Sequence, residues 1–222
     1  MSAIALRYRA VLFDLDGTLV DSYGALAEAV NHARRTHGMR ELSTSRIREF
    51  VGDGIERLLQ RAFERTDVPP SVHNAFVARY DEVCCAESKV LAGVETTLEK
   101  LSDIDVRMAV CTNKPTFFSK KILDFLGLSR HFASIVGPDL AGARKPEAKH
   151  LLFTLDSVGC DARDSLFVGD MPVDVRAARN SGMDVAVLAT GSSSRDELVA
   201  SEPDHFLERF ADLLKIVRRE AA

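Results

Sequence analysis

"AVLFDLDGTLVDS", residues 10–22, ends a short apolar run with two aspartates one residue apart, followed by a glycine. Four apolar residues in a row suit a strand buried on both faces, as in a parallel sheet. In an extended chain residues two apart point to the same side, so Asp14 and Asp16 face one site beyond the strand's carboxyl end. Gly17 permits the sharp turn that follows. Two like charges this close repel each other, so the pair is costly unless a partner of opposite charge joins them. A solvated Asp-Gly turn is the plainer reading of these residues alone. A calcium loop of the EF-hand type is excluded, because that loop has glycine at its sixth position, whereas here glycine comes fourth.

Outward from this stretch, apolar runs alternate with helical patterns. "VRMAVC" (106–111), "FASIV" (132–136), "SLFV" (165–168) and "DVAVL" (184–188) are further strand candidates. The segments "PTFFSKKILDFLG", "PEAKHLLFTLDSVG" and "PVDVRAARNSG" between them each open with proline and close with glycine, the residues that suit a helix start and the position after its end. This alternation predicts an α/β fold, a parallel sheet covered by helices on both faces. Residues 22–90 break the rhythm and show helical patterns only. "SYGALAEAVNHARRTHG" places Ala25, Leu26, Ala29, Val30 and Ala33 at helical spacing and stops at Gly38, and "STSRIREFVG", "DGIERLLQRAFERT" and "PSVHNAFVARYDEVCCAE" follow. The run is too long for one crossover and predicts an inserted helical unit. The expected organisation is a core of residues 1–19 and 91–222, with a helical cap of residues 20–90. "TGSSSRDE" (190–197) reads as flexible.

The ends of the other strands carry the chemistry. "VRMAVC" is followed by Thr112, Asn113 and Lys114, and "SLFV" by Gly169 and Asp170. Asp174 falls in the first turn of a helix opened by Pro172, where it can lean back toward Asp170. Lys145 precedes a helix expected to begin at Pro146. Three strands and one helix entry thus deliver polar groups to one edge of the sheet, where ligands bind in open α/β folds. A carboxylate is a competent nucleophile toward phosphorus. Clustered carboxylate oxygens suit Mg²⁺, which keeps waters and a phosphate oxygen besides its few protein ligands. Lysine supplies a compact positive charge, while a threonine hydroxyl and backbone N–H groups, including those of the Gly17–Thr18 turn, complete a phosphate cradle.

Bulk properties narrow the classes. The chain has 222 residues, enough for a core and a small appended unit, and its net charge of −4 with no basic stripe argues against nucleic acid as a partner. No apolar run approaches the roughly 18 residues that span a bilayer, and the first residues carry no long apolar segment of the secretory type. Cys84, Cys85, Cys111 and Cys160 lack metal-binding spacing and read as reduced thiols of a cytoplasmic protein. The six histidines form no metal pattern and read as surface or partly packed, and the terminal "RREAA" as a solvated tail.

The sequence resembles the haloacid dehalogenase superfamily of phosphohydrolases over nearly its whole length. "DLDGTLVD", "CTNK", "RKPE" and "VGDMPVD" resemble the family's four motifs, in order. The resemblance implies a Rossmann-like core with a helical cap inserted after the first motif. It implies Asp14 as nucleophile and Mg²⁺ ligand, and Asp16 as general acid and then base, with its backbone carbonyl on Mg²⁺. Thr112 would bind phosphoryl oxygens with Asn113 beside it, Lys145 would neutralise the phosphoryl group and nucleophile, Asp170 would bind Mg²⁺, and Asp174 would orient it directly or through water. Members that cleave carbon–halogen bonds lack a carboxylate at the Asp16 position, since halide leaves without a proton. "FVGDGIERLL" (50–59) is similar to cap segments of the phosphoglycolate phosphatase-like branch, which places Gly52, Asp53 and Gly54 among candidate substrate contacts. A local reading has Gly52 ending one helix and Asp53 capping the next. After the motif lysine, Glu147 and Ala148 depart from the proline-rich pattern common in the family.

The expected activity is Mg²⁺-dependent hydrolysis of a small phosphorylated metabolite. Alternatives are a sugar-phosphate mutase, a pyrophosphatase, or a phosphate-binding protein without catalysis. Substrate identity and oligomeric state stay open.

Overall fold

The computed structural model describes residues 6–218. The first five residues and all but the first residue of the "RREAA" tail lie outside the described residues. Strand β1 (Ala10–Phe13) leads through the aspartate pair into β2 (Val20–Asp21), and four helices follow: α1 (Tyr23–Thr36), α2 (Thr44–Arg48), α3 (Ile55–Phe63) and α4 (Pro70–Val83). The chain returns through β3 (Lys89–Val90), antiparallel to β2. Then come α5 (Val94–Ser102), β4 (Arg107–Cys111), α6 (Thr116–Phe125), β5 (Ser134–Val136), α7 (Pro138–Ala141) and α8 (Ala148–Val158). The remainder is β6 (Ser165–Gly169), α9 (Pro172–Ser181), β7 (Asp184–Leu188), α10 (Arg195–Ala200), β8 (His205–Leu207) and α11 (Leu213–Val217).

Six strands form a parallel sheet in the order β5-β4-β1-β6-β7-β8. Its central strands are buried on both faces, and their residues sort by alternation. Val11, Phe13, Met108, Val110, Leu166 and Val168 pack into one apolar cluster that extends into the helical insertion. Ala10, Leu12, Ala109, Cys111 and Phe167 point the other way, onto Leu151 and Leu155 of α8 and Val175 of α9. Each fully buried side chain of this size contributes about 1.5–3 kcal/mol, which fixes the register against a one-residue slip.

That register sets up the site. Phe13 pairs with Val110 on one side and Val168 on the other, so β1, β4 and β6 end within one residue of one another. Asp14, the Thr112–Lys114 turn and Asp170 therefore emerge from adjacent strands at the same edge.

Several expectations are corrected. Residues 89–90 form a strand inside the stretch read as purely helical, and 205–207 add an edge strand; both are too short to show a period. The strands expected from 106 and 132 begin at 107 and 134. Val106 is instead held by the end of α5, its N–H donating to the Leu101 carbonyl. Pro146 does not open α8, which begins at Ala148 after Glu147. The carbonyls of Lys145 and Pro146 accept from the Asn113 and Asn180 side chains, which hold this segment as a loop. The 190–197 stretch is ordered: Thr190 bonds the Gly17 carbonyl, and Ser194 and Glu197 form a capping box that starts α10.

Candidate active site

Two buried charge clusters sit side by side at the sheet edge. In the first, oxygens of Asp14, Asp170 and Asp174 lie within 4.8 Å of one another. Lys145 Nζ is 2.8 Å from Asp174 Oδ1, in a hydrogen-bonded ion pair, and 2.9 Å from Asp14 Oδ1, in a charge contact without hydrogen-bond alignment. Asp174 Oδ2 accepts from the backbone N–H groups of Asp170 and Met171, so Pro172 and the first turn of α9 aim it back at the strand end, as its position in the sequence predicts. Thr18 donates to Asp170 Oδ1 at 2.8 Å. Asp170 Oδ2 and Asp14 Oδ1 are buried without hydrogen-bond partners.

The electrostatics of this cluster are those of an excess of negative charge. Burial, then the neighbouring carboxylates Asp174 and Asp14, push the Asp170 carboxyl far above its usual range. Burial likewise raises Asp174, against the opposing pull of Lys145. On Lys145 burial acts downward, but Asp14 and Asp174 together outweigh it and hold the ammonium above its ordinary range. One lysine cannot balance three buried carboxylates. A hard divalent cation fits the site, because the donors are carboxylate oxygens and two of them, Asp14 Oδ1 and Asp170 Oδ2, accept no hydrogen bond from the protein. Gly17 permits the close approach: its φ is +84°, and a Cβ there would lie 2.5 Å from the Tyr23 hydroxyl and 2.6 Å from Asp170 Oδ2.

The second cluster centres on Asp16. Lys114 Nζ donates to both of its oxygens, at 2.5 and 2.6 Å, and Ser22 Oγ donates to Oδ1. The Lys114 ammonium lies 5.2 Å from the centroid of the Tyr80 ring on α4. Burial acts downward on Lys114, and Asp16 with Tyr80 more than reverses it, so this lysine also stays charged. A narrow cavity of about 40 Å³ opens here between sheet edge and insertion. Asp14, Asp16, Thr112, Asn113 and Lys114 line it from the core, and Gly52, Gly54, Ile55, Leu58 and Tyr80 from the inserted helices.

The sequence-derived candidates thus divide. Asp14, Asp16, Thr112, Asn113, Gly52 and Gly54 face the cavity, with Lys145, Asp170 and Asp174 buried behind Asp14. The Asp16 carboxylate lies outside the three-carboxylate cluster, so only its carbonyl is left for the metal role. The Asn113 side chain is engaged by protein: its Oδ1 accepts from the Lys145 N–H, and its Nδ2 donates to the Lys145 and Gly52 carbonyls. Gly52 has φ +125°, a conformation that side chains rarely adopt, and packs against the Met171 thioether, which would have to shift to admit a Cβ. Asp53 turns away from the cavity and pairs with Arg61 at 2.5 Å on an outer groove. It does not cap α3 either, since Gly54 occupies that position. Lys114, Ser22 and Tyr80 carry no role in the sequence reading; only the place of Lys114 directly after Thr112 and Asn113 hinted at one. His150 is fully buried, a correction to the surface or partly packed role expected of the histidines. All four cysteines are free thiols.

Comparison with known proteins agrees with this geometry. The family model for haloacid dehalogenase-like hydrolases matches residues 11–188. The phosphoglycolate phosphatase of Agrobacterium fabrum is 34% identical, with 95% of each chain covered. That of Aquifex aeolicus is 33% identical, over 94% of this chain and 96% of its own. A crystal structure of a predicted phosphoglycolate phosphatase from Haemophilus somnus superimposes with a TM-score of 0.88 at 30% identity, covering 95% of this chain and 98% of the other.

The chain belongs to the haloacid dehalogenase-like hydrolases. Within that family it is a phosphoric monoester hydrolase similar to the phosphoglycolate phosphatases. Among its described residues, no helix is long and apolar enough to cross a membrane.

Proposed function

We propose that the chain hydrolyses a small, phosphoglycolate-like phosphomonoester through an aspartyl-phosphate on Asp14, with Mg²⁺ at the Asp14–Asp170 side of the site. The observation that carries this reading is the separation of the aspartate pair into two environments. Asp14 stands against Lys145 and the other carboxylates, and Asp16 is held apart by Lys114 and Ser22.

An oxygen of Asp14 attacks phosphorus, the bond from phosphorus to the ester oxygen breaks, and Asp16 gives that oxygen its proton. The alcohol then leaves. Asp16 next takes a proton from water, whose oxygen attacks the same phosphorus, and the bond to Asp14 breaks to release inorganic phosphate. Lys145 offsets negative charge on Asp14 and the phosphoryl oxygens. The Thr112 hydroxyl and the backbone of the Gly17–Thr18 turn cradle those oxygens, while Asn113 fixes the Lys145 backbone and the Gly52 turn. Thr18 acts through Asp170, which it holds by hydrogen bond. Mg²⁺, bound by Asp14, Asp170 and the Asp16 carbonyl, would supply charge neutralisation that lets the carboxylate approach the phosphate dianion. Asp174 orients Asp170 and Lys145, because its own oxygens are already satisfied by protein donors. Gly52 and Gly54 roof the cavity, and Asp53 stays outside it.

The narrow cavity and the names of the relatives together favour a short organic acid phosphate over a hexose phosphate. The test is phosphate release from phosphoglycolate and from an aryl phosphate, with and without Mg²⁺. Activity is expected only with the metal, and Asp14→Asn is expected to lower it by about 10⁴-fold or more. An Asp14→Asn protein of full activity overturns the nucleophile assignment, and isomerised sugar phosphate without free phosphate would indicate a mutase.

A further inference from the structure

Two buried hydroxyl and carboxylate oxygens face each other across the metal side of the site, and the insertion supplies one of them. Tyr23 opens α1 and is 4% exposed, yet its hydroxyl has no hydrogen-bond partner. A tyrosine that needed only to fill space would serve as well as phenylalanine, and a buried tyrosine hydroxyl ordinarily finds a partner. Asp170 Oδ2 is unpartnered too. A single point, the Cβ position that Gly17 leaves empty, lies 2.5 Å from the Tyr23 oxygen and 2.6 Å from Asp170 Oδ2. The two oxygens are therefore no farther apart than those distances added, but they are not bonded. One is a donor and the other an acceptor, and an oxygen species held between them would satisfy both.

The ring is held from behind. The Arg48 guanidinium on α2 stacks 4.4 Å from the centroid of Tyr23. Its Nη2 donates to the carbonyls of Thr190 and Gly191 at 2.8 and 2.6 Å, and its Nε to Gly191 at 3.1 Å. Thr190 in turn donates to the Gly17 carbonyl at 2.6 Å. A Cβ on Gly191 would collide with the Asp170 carboxylate, so this loop forms a wall of the cation site. A phenol is protonated at neutral pH, so the Tyr23 hydroxyl has a proton to donate.

We propose that Tyr23 and Arg48 are positioning residues for the divalent cation: the Tyr23 hydroxyl donates to an oxygen of the cation's hydration shell beside Asp170, and Arg48 clamps both the ring and the Thr190–Gly191 wall. The inference rests on the Mg²⁺ reading above and extends it. It makes cation affinity depend on the inserted helices as well as on the sheet edge. An insertion seated on the core completes the hydration shell; one swung away takes the Tyr23 hydroxyl with it.

The test is titration calorimetry of the whole protein with Mg²⁺ alone, without substrate. Tyr23→Phe keeps the ring and its stacking on Arg48 but removes the hydroxyl. It is expected to weaken Mg²⁺ binding by about 10-fold, the lower end of what loss of a ligand's supporting hydrogen bond costs. Its melting temperature without Mg²⁺ should match the parent, and at saturating Mg²⁺ its substrate KM should be unchanged. Arg48→Ala should weaken Mg²⁺ binding in the same direction, with Arg48→Lys lying between it and the parent. If Tyr23→Phe binds Mg²⁺ as tightly as a parent that binds it well, the inference is wrong while the metal-dependent function stands. If the parent binds no Mg²⁺, both fall together.

Discussion

The two charge clusters differ in who builds them. The Asp14–Lys145–Asp170–Asp174 group is made wholly by the sheet edge and its helices, and Lys145 is 1% exposed there. The Asp16–Lys114 pair sits at the boundary with the insertion, under Tyr80, and Asp16 keeps 13% of its side-chain surface exposed. Burial in the core pushes the Asp170 and Asp174 carboxyls toward their neutral form, so the first group calls for a further cation. In the proposed mechanism Asp16 hands a proton to the leaving alcohol and takes one from water, which requires the access to the cavity that it has. The aspartate pair, two residues apart on one strand end, spans that division.

The largest effect expected from breaking the boundary cluster is kinetic. Asp16→Asn keeps the shape of the side chain but cannot deliver the proton. On an alkyl phosphomonoester kcat is expected to fall about 10²–10⁴-fold, the usual contribution of a positioned acid or base. An aryl phosphate leaves as a phenolate that needs far less protonation, so phosphorylation of Asp14 should be much less impaired with it. Rapid-quench measurement of the first turnover on both substrates checks this. Equal losses on the two would remove Asp16 from the proton-transfer role.

Breaking the core cluster should show first in stability. Lys145→Met leaves Asp14 and Asp174 buried without their cation, and loss of one member of a buried charge group costs about 3–5 kcal/mol. Lys114→Met strips the partner from a single carboxylate that still touches solvent, so it should cost less. Urea unfolding of both variants at neutral pH makes the comparison direct. A larger loss in Lys114→Met would reverse the contrast between the two clusters.

How much of this was legible in the sequence follows the same division. The central strands could be read because each is a continuous apolar run, and the aspartates and Thr112 could be read because they follow strand ends, whereas Lys145 lies in a loop and not at the helix start expected beside it. Asp174 was legible from its four-residue offset and Pro172. The ribbon of β2 and β3 and the edge strand β8 were not, since two or three residues carry no period. Tyr80 was hidden because an aromatic on the apolar face of a helix looks the same whether it meets packed side chains or a cavity. Asp53 misled because an aspartate between two glycines does not announce its direction; the positive φ values of Gly52 and Gly54 turn it outward to Arg61. Partners contributed across the two layers, such as Arg48 on the Gly191 carbonyl, are invisible to local pattern altogether.

His150 tests whether acid sensitivity belongs to the core side of the molecule. It is fully buried on α8, its Nε2 lies 3.3 Å from the Val136 carbonyl, and its Nδ1 has no partner. Burial, and then the positive charge of Lys145, lower its pKa to about 4. The folded protein therefore keeps this imidazole neutral, while an unfolded chain protonates it near pH 6.5. Above that pH the group is neutral in both states and its contribution is fully present. As pH falls from about 6.5 toward 4 the unfolded state binds the extra proton, and stability is lost, by about 3 kcal/mol in all. His150→Gln removes the titration. Between pH 7.5 and 4.5 the parent is expected to lose about 2 kcal/mol more unfolding free energy than the variant. The raised carboxyls of Asp170 and Asp174 are common to both proteins and cancel in this difference. Parallel pH profiles for the two would mean that the acid limb of stability arises elsewhere than beneath Lys145.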